Sequence, residues 1–233
     1  MDDRDTLEFG DFLASTIHDT KNSLGMLYNT VDSLLGQCQA KECTGQKDLF
    51  LLQYELRRLN HNFIRMLSLY KAQKNRFPIR LDYHAVCDCL DEAITVNEPL
   101  LSSKGITMEL QCPEELFWTF DRELVIGILD SMLNNEYLYT KDELKISAGA
   151  EEGYLVIRLE DNGPGFPDSF LIDSRLEKGR SGGPVSFLTG STSLGLYFSA
   201  LVAGAHTREG RKGFIVTANG GAYGGSVFSL HLP

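Results

Sequence analysis

The sequence has no apolar run near the roughly 20 residues that a membrane-spanning helix needs. Its opening residues, MDDRDTLEFG, are acidic where a secretory leader would be basic and then apolar. Positive charge is scarce as well: 22 Lys+Arg stand against 32 Asp+Glu, for a net charge of −10. A nucleic-acid binder or a protein docked on anionic lipid needs a basic face to displace counterions, so both classes are excluded. Nothing suggests disorder, because 42% of residues are apolar and 23% charged. The expectation is a soluble, cytoplasmic protein that binds neither nucleic acid nor membrane. Cysteine is sparse and unpaired in pattern. The five (Cys38, Cys43, Cys87, Cys89 and Cys112) are an odd number without a CxxC spacing. Reduced structural thiols are therefore expected, with neither zinc nor a disulfide framework.

Helix breakers are missing from the first third. Residues 1–77 hold four of the 22 glycines and no proline, while 16 glycines fall from Gly149 onward. A long helix is allowed in the first stretch and excluded from the second. Apolar residues there recur at steps of three and four. One seam runs Leu13, Ile17, Thr20, Leu24, Leu27, Val31, Leu34 and a second Leu49, Leu52, Leu56, Leu59, Phe63, Met66, Tyr70. The polar GQCQAKECTGQ (36–46) between them suits a hairpin connection. Residues 1–76 thus read as two antiparallel helices of about eight turns each. Two helices cannot bury both flanks of such stripes, so the spacing predicts a homodimer built around a four-helix bundle, the alternative being a hairpin packed on the second domain of its own chain.

Residues 77–233 mix strands and helices. FPIRLDYHAV starts a strand, VCDCLDEAITVNEPLLSSKG reads as a helix, and ITMELQC alternates like a strand. DRELVIGILDSMLNNEYLYT is a second helix, and LKISAGA and GYLVIRLED are strands joined at Glu151–Gly153. After a long loop come the helix SLGLYFSALVAGAH and a closing hairpin of GFIVTANGG and GSVFSLHLP. The order predicts an α+β chain whose second part is an α/β sandwich with helices on one face.

Three segments carry chemistry. Asp161-Asn162-Gly163-Pro164-Gly165-Phe166 follows a strand. A carboxylate there can accept from an exocyclic amine, and the glycines let backbone approach a flat ligand. Asn134-Asn135 lie on the preceding helix, where an amide oxygen can serve as a hard ligand for Mg²⁺. Gly190-Ser191-Thr192-Ser193-Leu194-Gly195-Leu196 opens a helix and presents free N–H groups suited to polyphosphate.

The succession NNEYLYT, DNGPGF, GSTSLGL and GGSVFSLHLP resembles the ATP-binding domain of sensor histidine kinases, of the GHKL type also found in gyrase and chaperone ATPases. The similarity covers about residues 78–233. On the first helix, His18-Asp19-Thr20-Lys21-Asn22 resembles the family's H-box, where the histidine is phosphorylated. His18 follows seam residue Ile17 and so sits off the dimer seam, open to solvent. Asp19 can orient its imidazole or take its proton, and Asn22 shares its face one turn on.

Carried over, the resemblance implies Mg-ATP as cofactor, with Asn135 the metal ligand and Asp161 the reader of the adenine amino group. Gly163 and Gly165 would line the adenine pocket. Gly195 and Leu196 would close the phosphate end, with Ser191 and Thr192 as phosphate donors. Lys178 and Arg180 fall in the segment the family uses as an ATP lid. The implied partners are a response-regulator receiver domain and, since no sensor is attached, a separate upstream signalling protein. Three positions depart from the pattern. Ser131 stands where an asparagine is common, Leu138 where a basic residue is, and GSTSLGL where GGTGLGL is more usual. Two other readings therefore remain open: a relay or phosphatase module with a weakened ATP site, and a serine-directed regulator similar to anti-sigma-factor kinases.

Overall fold

The computed structural model describes residues 24–35, 49, 51–56, 59, 63, 79–175 and 191–233, with side chains in the last stretch from Gly195 onward. The chain divides into two compact units, Met1–Pro78 and Ile79–Pro233. In the first, helices α1 (24–35) and α2 (51–56) bury Leu24, Val31, Leu35 and Leu56 in one cluster. Gln53 of α2 ties them by donating to Tyr28 Oη at 3.2 Å and Asp32 Oδ1 at 3.0 Å. Leu49 and Phe63 pack against the cluster partly buried, whereas seam positions Leu27, Leu34, Leu52 and Leu59 are exposed.

The second unit runs β1 (Asp82–Ala85), α3 (Val86–Ser103), β2 (Thr107–Gln111), β3 (Phe117–Phe120), α4 (Arg122–Tyr139), β4 (Glu143–Glu151) and β5 (Tyr154–Asp161). Then follow α5 (Ser191–Ala205), the short pair β6 (Thr207–Arg208) and β7 (Arg211–Lys212), β8 (Phe214–Asn219) and β9 (Ser226–Leu232). A five-stranded sheet in the order β2-β4-β5-β9-β8 is antiparallel except at the β2–β4 pair. This is the mixed α+β architecture expected, with two additions. FWTF forms β3 against β1, and a small hairpin of β6 and β7 follows α5.

Alternation along the strands decides which side faces the helices. Leu155, Ile157 and Leu159 of β5 are buried on one face, and Leu230 and Phe228 stand opposite Ile157 and Leu159 on β9. Helix α4 starts where Asp121 caps it, its Oδ1 accepting from Leu124 N–H at 3.1 Å. The same carboxylate's Oδ2 accepts from Arg80 N–H at 2.8 Å, and Asp121 N–H donates to buried His206 Nε2 at 3.0 Å. One cap therefore locks the start of α4 to the end of α5.

The cysteines correct one expectation. Cys87, in the first turn of α3, is disulfide-bonded to Cys112, just past β2. The chain spacing hid this pair, because the fold, not the sequence, brings the helix start beside the edge strand. Cys89 is free and buried, and burial pushes its thiol up to about 11. Among the described residues no His/Cys/Asp/Glu group could hold a metal, and no helix is long and apolar enough to cross a membrane.

Candidate functional site

A cavity of about 380 Å³ opens at the ends of β5 and β9, walled by the last turns of α4 and by the DNGPGF loop. Asp161 is 2% exposed at its floor. Its Oδ1 accepts from Gly163 N–H at 2.5 Å, its Oδ2 accepts from the Ser226 hydroxyl, and its carbonyl accepts from Gly225 N–H at 2.9 Å. The carboxylate is thus fixed in place and still faces the cavity. Glycine is compulsory beside it. A Cβ on Gly163 would meet Tyr139 O at 2.2 Å, and one on Gly225 would meet Asp161 Oδ1 at 2.4 Å.

Gly165 adopts φ +82°, which only glycine takes freely, and it lines the cavity. Asn219 at the end of β8 holds the loop here. Its Oδ1 accepts from Phe166 N–H at 2.6 Å, and its Nδ2 donates to Phe166 O at 2.8 Å. Asn162 faces the other way and holds the loop to β4, its Oδ1 accepting from the N–H groups of Asp142 and Glu143 at 3.1 Å.

Asn135 is half-buried on the cavity wall. Its neighbour Glu136 also lines the cavity, buried and accepting from the Thr140 hydroxyl. Burial first, and the Asp161 charge second, push its carboxyl up to about 8, against Thr140 and Lys104. The end of α4 is secured from outside by Lys104, whose Nζ donates to the carbonyls of Tyr137 at 2.6 Å, Leu138 at 3.4 Å and Thr140 at 3.0 Å.

Asp161, Gly165 and Asn135 therefore share one cavity, whereas Gly163 does not line it and acts by holding Asp161. Gly195 and Leu196 do not line it. Leu196 is fully buried in the core, and Gly195 O accepts from the Ser199 hydroxyl at 2.9 Å within α5. Ser131 is buried and Leu138 exposed, so neither departure position reaches the cavity. Ser191 and Thr192 begin α5, but their side chains lie outside the described residues, as do His18, Asp19, Asn22, Lys178 and Arg180. Sequence reading missed Glu136, Ser226 and Asn219. Only Ser226 carried a signal, in the closing GGSVFS. A larger cavity of about 730 Å³, between α5 and the start of β8, holds none of the residues read from the sequence.

The fold is the one found in histidine kinase catalytic domains. The Acinetobacter baumannii histidine kinase AdeS superposes with a TM-score of 0.59, at 19% identity over 88% of this chain and 95% of that one. The catalytic domain of histidine kinase ThkA gives 0.53, at 18% identity over 66% and 95%. In sequence, the chain is 19% identical over 207 residues to "Sensor protein SrrB" of Staphylococcus aureus, covering 84% of this chain. It spans about a third of that sensor's length, 34%. No family model matches. The chain resembles the core of sensor histidine kinases, a helical hairpin followed by a GHKL-type ATP-binding domain.

Proposed function

We propose that this chain is the kinase core of a two-component system, binding Mg-ATP in the cavity and phosphorylating His18. The observation that carries the reading is Asp161, a buried carboxylate clamped by Gly163 and Ser226 and open to a cavity with apolar walls such as Met132 and Phe228. That arrangement suits a flat base with an amino group, held by one directed hydrogen bond and excluded from water.

The donor set fits one hard cation held lightly. Asn135 offers a single amide oxygen, and no all-protein cage exists among the described residues. Mg²⁺ keeps waters and binds through substrate phosphates in such settings, where it would neutralise phosphate charge. The chain's own contribution is to fix the base and to keep water from it. Asp19 would orient the His18 imidazole, leaving a ring nitrogen to attack the γ-phosphorus in line as its bond to the β,γ-bridging oxygen breaks and ADP leaves. The phosphoryl group would then pass to an aspartate of a receiver-domain partner, with Asn22 aligning water for its removal. Exposure of Leu27, Leu34, Leu52 and Leu59 supports a second copy covering the hairpin.

A second reading, a relay or phosphatase with a weakened ATP site, is favoured by one observation: the acid Glu136 occupies the base cavity beside Asp161. Incubation with γ-labelled ATP separates the two. The kinase reading expects an acid-labile, base-stable adduct, absent from His18→Gln and from Asp161→Ala. Labelling that persists in His18→Gln overturns the assignment, and phosphate taken up only from another phosphoprotein establishes the relay.

A further inference from the structure

Helix α3 connects two fastenings. At its C-terminal end, Lys104 grips the three carbonyls that end α4, the helix carrying Asn135, Glu136 and Tyr139 on the cavity wall. Midway, Asn97 donates to Asp130 of α4 at 2.9 Å. The N-terminal end is held differently. Its N-cap, Ala85, offers no side-chain hydrogen bond, and the first turn is secured by Val86 N–H on Leu116 O at 2.9 Å and by the Cys87–Cys112 bond. Cys112 lies just past β2, at the edge of the main sheet, and both cysteines are partly exposed. This 18-residue helix is about 27 Å long, carries Pro99 in its last third, and is the one element joining the disulfide to the end of α4.

We propose that the Cys87–Cys112 disulfide is a redox-sensitive tether that sets nucleotide affinity through α3 and Lys104. This rests on the reading of the cavity as the nucleotide site. The chemistry is thiol–disulfide exchange with a dithiol reductant. A reductant thiolate attacks one sulfur and forms a mixed disulfide. The second reductant thiol then displaces it. The protein S–S bond breaks, two protein thiols form, and the reductant leaves as its own disulfide, having given two electrons and two protons. Cys89 does not compete, being buried with its thiol held at about 11. Breaking the bond leaves that first turn, which has no capping side chain, with the Val86–Leu116 hydrogen bond but one fastening fewer, and α3 then holds the end of α4 less firmly.

The test is calorimetric titration of Mg-ADP into the full chain carrying Cys38→Ser and Cys43→Ser, so that only the described cysteines respond. Oxidised and dithiothreitol-reduced forms are verified by intact mass, which differs by about 2 Da. The reduced form should bind at least about fivefold more weakly. Cys87→Ser and Cys112→Ser should match it in either buffer, and Cys89→Ala should leave the response intact. Lys104→Met should bind like the reduced form and no longer respond to reductant. Affinities equal within about twofold in the two redox states, or a response surviving in Cys87→Ser, overturns the proposal. Binding of no adenine nucleotide in either state overturns the cavity's assignment, and the tether with it.

Discussion

Asn219 and Phe166 form a two-point clamp: the side-chain amide accepts from the Phe166 N–H at 2.6 Å and donates to its carbonyl at 2.8 Å. Fifty-three residues apart, they join the end of β8 to the loop over the cavity. Asn219→Ala removes both bonds and should weaken Mg-ADP binding by about tenfold, the scale of two partly exposed hydrogen bonds. Asn219→Asp keeps the acceptor alone and should fall between. Calorimetry reads both, and unchanged affinity in the alanine variant would show that the loop is held by other means.

Gly163 tolerates no side chain, because a Cβ would sit 2.2 Å from Tyr139 O, which is backbone and cannot move aside. Gly163→Ala should cost about 1–3 kcal/mol in a urea melt and remove measurable nucleotide binding. Gly149→Ala, where a Cβ meets nothing within 4 Å, is the control and should be nearly neutral.

Residues 76–233 hold 22 of the 32 acidic side chains and 13 of the 22 basic ones. Bulk attraction therefore works against a polyphosphate, and no cation lines the cavity among the described residues. Removing divalent metal with EDTA should weaken ATP binding by at least about tenfold, the scale of one lost charge-assisted contact. Asn135→Asp should preserve metal dependence, whereas Asn135→Ala should abolish the benefit of added Mg²⁺. Equal affinity with and without metal would remove Asn135 from that role.

His231 stacks on Phe214 with ring centres 4.1 Å apart. Burial first, then the charges of Arg158 and Arg175, lower its imidazole to about 4. An unfolded histidine takes its proton near pH 6.5. Between these values the unfolded chain binds more protons, so stability is full above pH 6.5 and falls as pH drops toward 4. His231→Phe keeps the stack and should flatten part of that slope in denaturant melts across this range. His206, whose pKa burial also lowers, adds to that slope, and Glu136, raised to about 8, opposes it.

The strands and helices that were legible in the sequence are those with sustained period, such as β5, where Leu155, Ile157 and Leu159 alternate with Val156, Arg158 and Glu160. The four residues of β3 were too few to show one. Asp161 and its glycines were legible because a local motif carries them. Asn219 was not, since its partner lies 53 residues away, and Glu136 looked like any acid on a helix. The cysteine pair failed for the same reason: 25 residues separate its members, and only the packing of α3 beside β2 unites them. His18, Asp19 and Asn22 lie outside the described residues and stand on resemblance alone.

Strand β9 lies inside the sheet, between β5 and β8, and it carries Ser226, which holds Asp161. It is also the last element of the unit along the chain. A nascent chain on the ribosome can therefore make every helix of this unit before it has a place for a nucleotide. Until β9 inserts, β5 and β8 expose unpaired edges to their surroundings. The cavity is complete only once this closing strand is in place, because Ser226 reaches Asp161 from it.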